Sequence, residues 1–153
     1  MSDVLETTID KFTFKVPTDR LYNHDGLWVL WLQPLEGNRV RVGLTDYLQQ
    51  HSGDLAFATI KPVGTVVGAG EELGDIETVK VNLSLLAPVS GTVVEVNPAL
   101  ELTPEVVNRD PFGEGWLAVL ETTNLDAERG ALLQPAAYLA VMTQQVEEEL
   151  KQS

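Results

Sequence analysis

The chain has 153 residues, of which 44 % are hydrophobic and 22 % charged, the balance of a soluble globular unit with a core of its own. It holds no cysteine and two histidines, which excludes disulfides, thiolate metal sites, a cysteine nucleophile and a histidine-rich metal centre. A net charge of −13 repels phosphate backbones and suits docking onto basic protein surfaces, so no nucleic-acid partner is expected.

The start, Met1 to Glu6, lacks the basic and apolar regions of a secretory signal, and a cytoplasmic location is expected. No apolar run approaches the roughly 18 residues that span a bilayer, so no membrane association is expected. Residues 1–20 read as an N-terminal extension. Within it Phe12-Thr13-Phe14-Lys15-Val16, closed by Pro17, alternates as an edge strand or a packed appendage does. Leu27 to Leu32 is an apolar run of strand formers, Pro34 to Asn38 supplies a turn, and Arg39 to Gly43 alternates as a half-buried strand. Asp46 to His51 predicts a short helix with Thr45 or Asp46 as N-cap and Gly53 near its end. From there to Asn97 the chain is rich in Gly, Val and Thr, the texture of a small barrel or sandwich.

Thr103-Pro104-Glu105-Val106-Val107 predicts a further helix, with Thr103 as N-cap and Pro104 at the first helical position. Asn108 to Gly115 reads as a loop, shaped by Asp110 and Glu114, before a strand at Trp116 to Leu120. A short helix is expected over Leu125 to Leu133, ending before Pro135. A last helix over Ala136 to Lys151 stacks Leu139, Met142, Val146 and Leu150 on one face, leaving Glu147-Glu148-Glu149 as a solvated face. The division implied is an extension over 1–20, a barrel-sandwich domain over 21–134 and a packed amphipathic helix over 135–153.

Pro62-Val63-Gly64-Thr65-Val66-Val67 is echoed by Pro88-Val89-Ser90-Gly91-Thr92-Val93-Val94. Two similar strand units around a central hairpin predict a flattened barrel of quasi-twofold symmetry, mainly β with peripheral helices. The hairpin between the echoes carries Glu77-Thr78-Val79-Lys80-Val81. A lysine at such a tip is exposed and held by backbone hydrogen bonds. With an ordinary pKa of about 10.4 it is a poor nucleophile at neutral pH, yet an enzyme bringing an activated acyl-adenylate can acylate it. Thr78, Val79 and Val81 then present Lys80, and Glu77 serves as a recognition handle.

No catalytic constellation accompanies it. Gly64, Gly68 and Gly70 lack the following helix and the Gly-Lys-Ser/Thr ending of a phosphate loop. His24 and His51 sit in turn or helix-end contexts and read as structural or solvated.

Four segments resemble the H protein of the glycine cleavage system: Gly43-Leu44-Thr45-Asp46; Glu77-Thr78-Val79-Lys80; Ala87-Pro88-Val89-Ser90-Gly91 leading into Val94-Glu95-Val96-Asn97; and Asn108-Arg109-Asp110-Pro111-Phe112-Gly113-Glu114-Gly115-Trp116. The resemblance runs from about Leu27 to Val146. It implies a barrel-sandwich hybrid, a non-catalytic carrier, and lipoic acid joined covalently by an amide to Lys80. The partners it implies are a lipoate ligase or lipoyl-assembly enzymes, dihydrolipoamide dehydrogenase, and the glycine cleavage P and T proteins. Biotin is disfavoured, because Val79 and Val81 flank the lysine where biotinyl carriers usually have methionines.

Two positions depart from that family. An acid is expected before the strand tryptophan and another four residues after the lysine, sheltering a cationic aminomethyl cargo. Here the first is Leu27 or Leu30, as Trp28 or Trp31 is aligned, and the second is Ser84. Without carboxylates the charge-assisted contacts to an ammonium group are lost. The departures favour a similar class, the lipoate-binding proteins of sulfur oxidation, whose partner is a heterodisulfide-reductase-like complex. The alternatives are an aminomethyl carrier of glycine cleavage and an unlipoylated interaction protein.

Overall fold

The structure is a computed structural model and describes residues 3–32 and 38–152. The extension expected over 1–20 forms a hairpin: β1 (Val4–Ile9) pairs antiparallel with β2 (Phe12–Pro17). Its turn puts Asp10 at φ 57°, a left-handed conformation that Asp tolerates better than most residues. Expectation had covered β2 alone; β1 is solvent-facing at Val4, Glu6 and Thr8 and half-buried at Leu5, Thr7 and Ile9, a muted alternation. β2 buries Phe14 and Val16. The turn expected from Pro34 lies in residues 33–37, outside the described residues.

Six strands form the larger sheet in the order β3 (Leu21–Tyr22), β4 (Leu27–Trp31), β5 (Arg39–Leu44), β11 (Ala118–Thr122), β10 (Gly91–Val96) and β7 (Val66–Val67). The smaller sheet has the order β6 (Leu55–Ile60), β8 (Glu72–Thr78), β9 (Asn82–Leu86). One buried cluster draws on both, with Val42, Leu44, Val93 and Leu120 from the first and Leu73, Ile76 and Leu85 from the second. This is the expected barrel-sandwich with helices at its periphery. The two sequence echoes meet in it: Gly91 pairs with Val67 and Thr92 with Val66.

Trp28 shows how the motifs hold the barrel. It is fully buried and lies opposite Gly43 on the neighbouring strand. A Cβ on Gly43 would come within 2.5 Å of the indole ring, so the position is kept empty for it. The indole Nε1 donates to the Pro111 carbonyl at 2.9 Å, and the Arg20 guanidinium sits 4.7 Å from the ring centroid. Asn97 performs a similar service, donating from Nδ2 to the carbonyls of Glu114 and Trp116 while accepting from the Ala99 amide.

Helix α1 (Asp46–Ser52) begins as expected, with the Thr45 hydroxyl accepting from the Leu48 amide, and stops at Gly53, φ 87°. Elsewhere local expectations need correction. Thr103 is not an N-cap: its hydroxyl donates to the Ala99 carbonyl at 3.1 Å, closing α2 (Ala99–Leu102). The helix after it, α3 (Val106–Arg109), starts two residues beyond Pro104 and takes in Asn108 and Arg109, which the sequence places in the loop. Strand β11 begins at Ala118 rather than Trp116, because the Trp116 carbonyl is engaged by Asn97 and its ring lies under Arg41. The helix expected over 125–133 is broken into α4 (Leu125–Glu128) and a single 3-10 turn (Arg129–Ala131).

The last helix, α5 (Pro135–Gln152), is rotated from expectation. Tyr138, Met142 and Val146 are its buried residues, while Leu139 is half-buried and Leu150 remains 38 % exposed. Tyr138 sets the rotation: it stacks on Tyr22 with centroids 4.6 Å apart, and its hydroxyl donates to Thr45 Oγ1 at 2.9 Å. Among the described residues no helix is long and apolar enough to cross a membrane.

Candidate functional site: the Lys80 hairpin

Strands β8 and β9 run out to a tip at Val79, Lys80 and Val81. Its shape comes from one side chain. The Thr78 hydroxyl accepts from the amides of Lys80 (3.1 Å) and Val81 (3.0 Å) and donates to the Ser52 carbonyl at 2.8 Å. The Thr78 amide closes the turn onto the Val81 carbonyl at 2.8 Å. One donor and two acceptors exhaust a hydroxyl, so this buried threonine both folds the tip and moors it to the end of α1. The backbone hydrogen bonding expected at the tip is present, and the threonine side chain adds to it. Val79 is consequently 98 % exposed, Lys80 and Glu77 are exposed and Val81 is half-buried.

The Lys80 ammonium donates to the His51 carbonyl at 3.2 Å, in the last turn of α1, where unpaired carbonyls favour a cation. The joint beneath it is pinned from a distance in sequence. Asn108 accepts from the Leu55 amide (2.9 Å) and donates to the Gly53 carbonyl (2.9 Å) and Gln49 Oε1 (3.2 Å). The Asn108-to-Trp116 segment therefore supports the very turn against which Lys80 rests.

Two clefts flank His51. The first, about 380 Å³, has Lys80 at its edge and apolar walls from Phe12, Phe14, Val146 and Leu150. The second, about 330 Å³, includes Leu27, Ser84 and Leu85 with His24 and Asp25. Tyr47 and His51 line both. Between them Glu149 accepts from the Tyr47 hydroxyl at 2.5 Å and lies 3.3 Å from His51 Nδ1. Burial, reinforced by that carboxylate, pushes the Tyr47 phenol well above its usual range.

Glu147, Glu148 and Glu149 are exposed as expected, and α5 also brings the Glu149 carboxylate onto α1. His51, expected to be structural or solvated, is half exposed, supplies a carbonyl to Lys80 and lines both clefts. Sequence reasoning could have paired Tyr47 with His51, four apart on one helix, but not Glu149 with either, about a hundred residues away. Leu27 and Ser84 do line one cleft together, and the Ser84 hydroxyl is spent on Glu72 at 2.9 Å.

The sequence model described as Glycine cleavage H-protein matches residues 20–145. The chain belongs to the glycine cleavage H-protein family. It is 43 % identical over 126 residues to the glycine cleavage system H protein of Beutenbergia cavernae, covering 82 % of this chain and 95 % of that protein. The H protein of Bacteroides fragilis is 44 % identical over 126 residues, with 82 % and 96 % covered. A crystal structure of the H protein from Mycobacterium marinum superposes with a TM-score of 0.72 at 36 % identity, covering 82 % of this chain and 97 % of that one. H proteins carry a covalent lipoate on a lysine, and this chain is a lipoyl carrier without catalytic activity of its own. The β1–β2 hairpin and the last residues of α5 lie outside the matched residues 20–145.

Proposed function

We propose that Lys80 is the lipoylated residue and that the chain is the shuttle subunit of glycine cleavage, docking in turn on P and T proteins. The observation that carries this reading is the mooring of Lys80: an exposed lysine on a turn shaped by Thr78 and fixed to α1 through Ser52 and His51. The residues present fit a lipoyl group, since the lysine is exposed at a tip shaped by Thr78, beside a cleft with apolar walls. When attached, the dithiolane supplies a reversible disulfide on a long tether, kept at high local concentration for each partner.

The chain's own residues present and orient. Thr78 and Val81 hold the tip, so a lipoate ligase or lipoyl-assembly enzyme meets Lys80 in one conformation, with Glu77 exposed beside it as a handle. The His51 carbonyl that receives the ammonium also suits the N–H of an amide at the same nitrogen. The division into extension, barrel domain and terminal helix at 20 and 134 belongs to the same reading.

The curated relatives favour aminomethyl cargo, regenerated by dihydrolipoamide dehydrogenase. A second reading, sulfur-bearing cargo and a heterodisulfide-reductase-like partner, is favoured by Leu27 and Ser84, which leave their cleft without the two acids. Reconstitution decides between them. The lipoylated chain mixed with P protein and glycine should support exchange of labelled bicarbonate into glycine. Absence of exchange, from a chain whose lipoylation is verified by mass, would overturn the glycine cleavage reading.

A further inference from the structure

Strand β6 breaks its own alternation. Leu55 is buried, Ala56 and Phe57 are both exposed, and the pairing with β8 slips between Leu55 and Phe57 as a bulge. The extra residue takes a phenyl ring out of the core. Phe57 is 63 % exposed and belongs neither to the buried cluster nor to the residues packed on it. It lies directly opposite Glu77, which puts the two side chains about 5 Å apart on one face. The same face carries Asp75 opposite Thr59, and on β9 Asn82 opposite Glu77 and Ser84 opposite Asp75, all exposed. Phe57 is thus the one large apolar side chain left exposed on three strands that hold acids at Glu72, Asp75 and Glu77 and no lysine or arginine.

Lys80 follows Glu77 by three residues, roughly 10 Å along the strand direction. An enzyme that draws Lys80 into its active site covers roughly 800 Å² of this chain in an interface of ordinary size, a disc about 16 Å in radius. Centred on the tip, that disc takes in Glu77 and Phe57. The enzyme that acylates the lysine holds a phosphate-bearing acyl-adenylate, so its active-site mouth carries basic groups, the complement of an acidic face.

Building on the reading of Lys80 as the lipoylated residue, we propose that the open face of the β6–β8–β9 sheet is the docking surface for the lipoate-attaching enzyme. Phe57 is the anchor, entering an apolar socket, and Asp75 and Glu77 meet the basic rim around that socket. Such docking explains how one lysine is singled out: Lys11, Lys15 and Lys151 are also exposed, but on other elements without this face beside them.

The test follows lipoylation of the full chain by a lipoate ligase with lipoate and ATP, read by intact mass over a series of chain concentrations. Phe57→Ser should raise KM about tenfold and leave kcat unchanged, because the lost contact is made equally in the ground and transition states. Its melting temperature should stay with that of the parent chain, and Phe57→Leu should recover most of the affinity. Asp75→Asn should raise KM about threefold and flatten its dependence on salt. Val66→Ser is the control, at a valine 72 % exposed on β7 of the other sheet, and should change nothing. An unchanged KM in Phe57→Ser, an equal rise in Val66→Ser, or a loss confined to kcat would overturn the docking surface while leaving Lys80 as the carrier lysine. So would a Phe57→Ser chain that is lipoylated normally but slow in exchanging labelled bicarbonate into glycine, which would give the face to P protein. A parent chain that takes up no lipoyl increment would overturn both readings.

Discussion

Asn108 makes three hydrogen bonds, to the Leu55 amide, the Gly53 carbonyl and the Gln49 side chain, under the turn that receives Lys80. Removing its amide leaves the Leu55 amide and the Gly53 carbonyl without their partner, so Asn108→Ala should lower the unfolding free energy by about 2–3 kcal/mol. Ser52, next to Gly53, offers the opposite case. Its hydroxyl is buried and, among the described residues, has no hydrogen-bond partner. Ser52→Ala should be neutral or stabilising, since it removes a desolvated group without breaking a bond. Urea denaturation of both variants checks the pair; a destabilised Ser52→Ala would point to a partner for the hydroxyl. At this scale the sequence displayed Lys80 through its motif and the echoes around it. It did not display Asn108 as a support, because its partners Gly53 and Leu55 are more than fifty residues away and nothing local marks them.

Among the elements, those with strong local signals are where the residues predict them. The N-cap at Thr45 with Gly53 behind it defines α1, and the alternation of Arg39 to Gly43 defines β5. The misread elements were decided by tertiary contacts. Periodicity alone cannot distinguish a face centred on Leu139 from one centred on Tyr138, and the stack on Tyr22 chooses the latter. Thr103 has N-cap chemistry, yet the helix before it takes the hydroxyl as a closing bond. The rotation of α5 has a direct consequence. Met142 is fully buried, so Met142→Ala should cost about 2–5 kcal/mol, whereas half-buried Leu139→Ala should cost about 1 kcal/mol. Thermal or urea unfolding of the two variants checks the order, and equal costs would contradict the rotation.

The molecule as a whole carries all three of its tyrosines in protected positions: Tyr22 on β3, Tyr47 on α1 and Tyr138 on α5. Burial pushes each phenol above its ordinary value of 10.0. The folded state keeps protons that the unfolded chain loses from about pH 10 upward, so the stability they contribute is intact below that pH and declines above it. A spectrophotometric titration should show no tyrosine ionising at its ordinary pH in the folded chain, with phenolate absorbance appearing together with unfolding. A phenol titrating reversibly near pH 10 would contradict the packing of α5 on the barrel.

At the same scale, the barrel-sandwich was legible from strand texture and the two echoes, while the β1–β2 hairpin and the contact of α5 with α1 were not. The β1 alternation is weak, and Glu149 reads as one of three like charges until α5 is docked. The carrier role turns on a single nitrogen, Lys80 Nζ. The most direct measurement is the intact mass of the chain after incubation with a lipoate ligase, lipoate and ATP, alongside Lys80→Arg, which keeps the charge and can still donate to the His51 carbonyl. One lipoyl-sized increment in the first and none in the second is the predicted result. An increment that survives the substitution, or that never forms, would contradict the assignment of Lys80 as the carrier lysine.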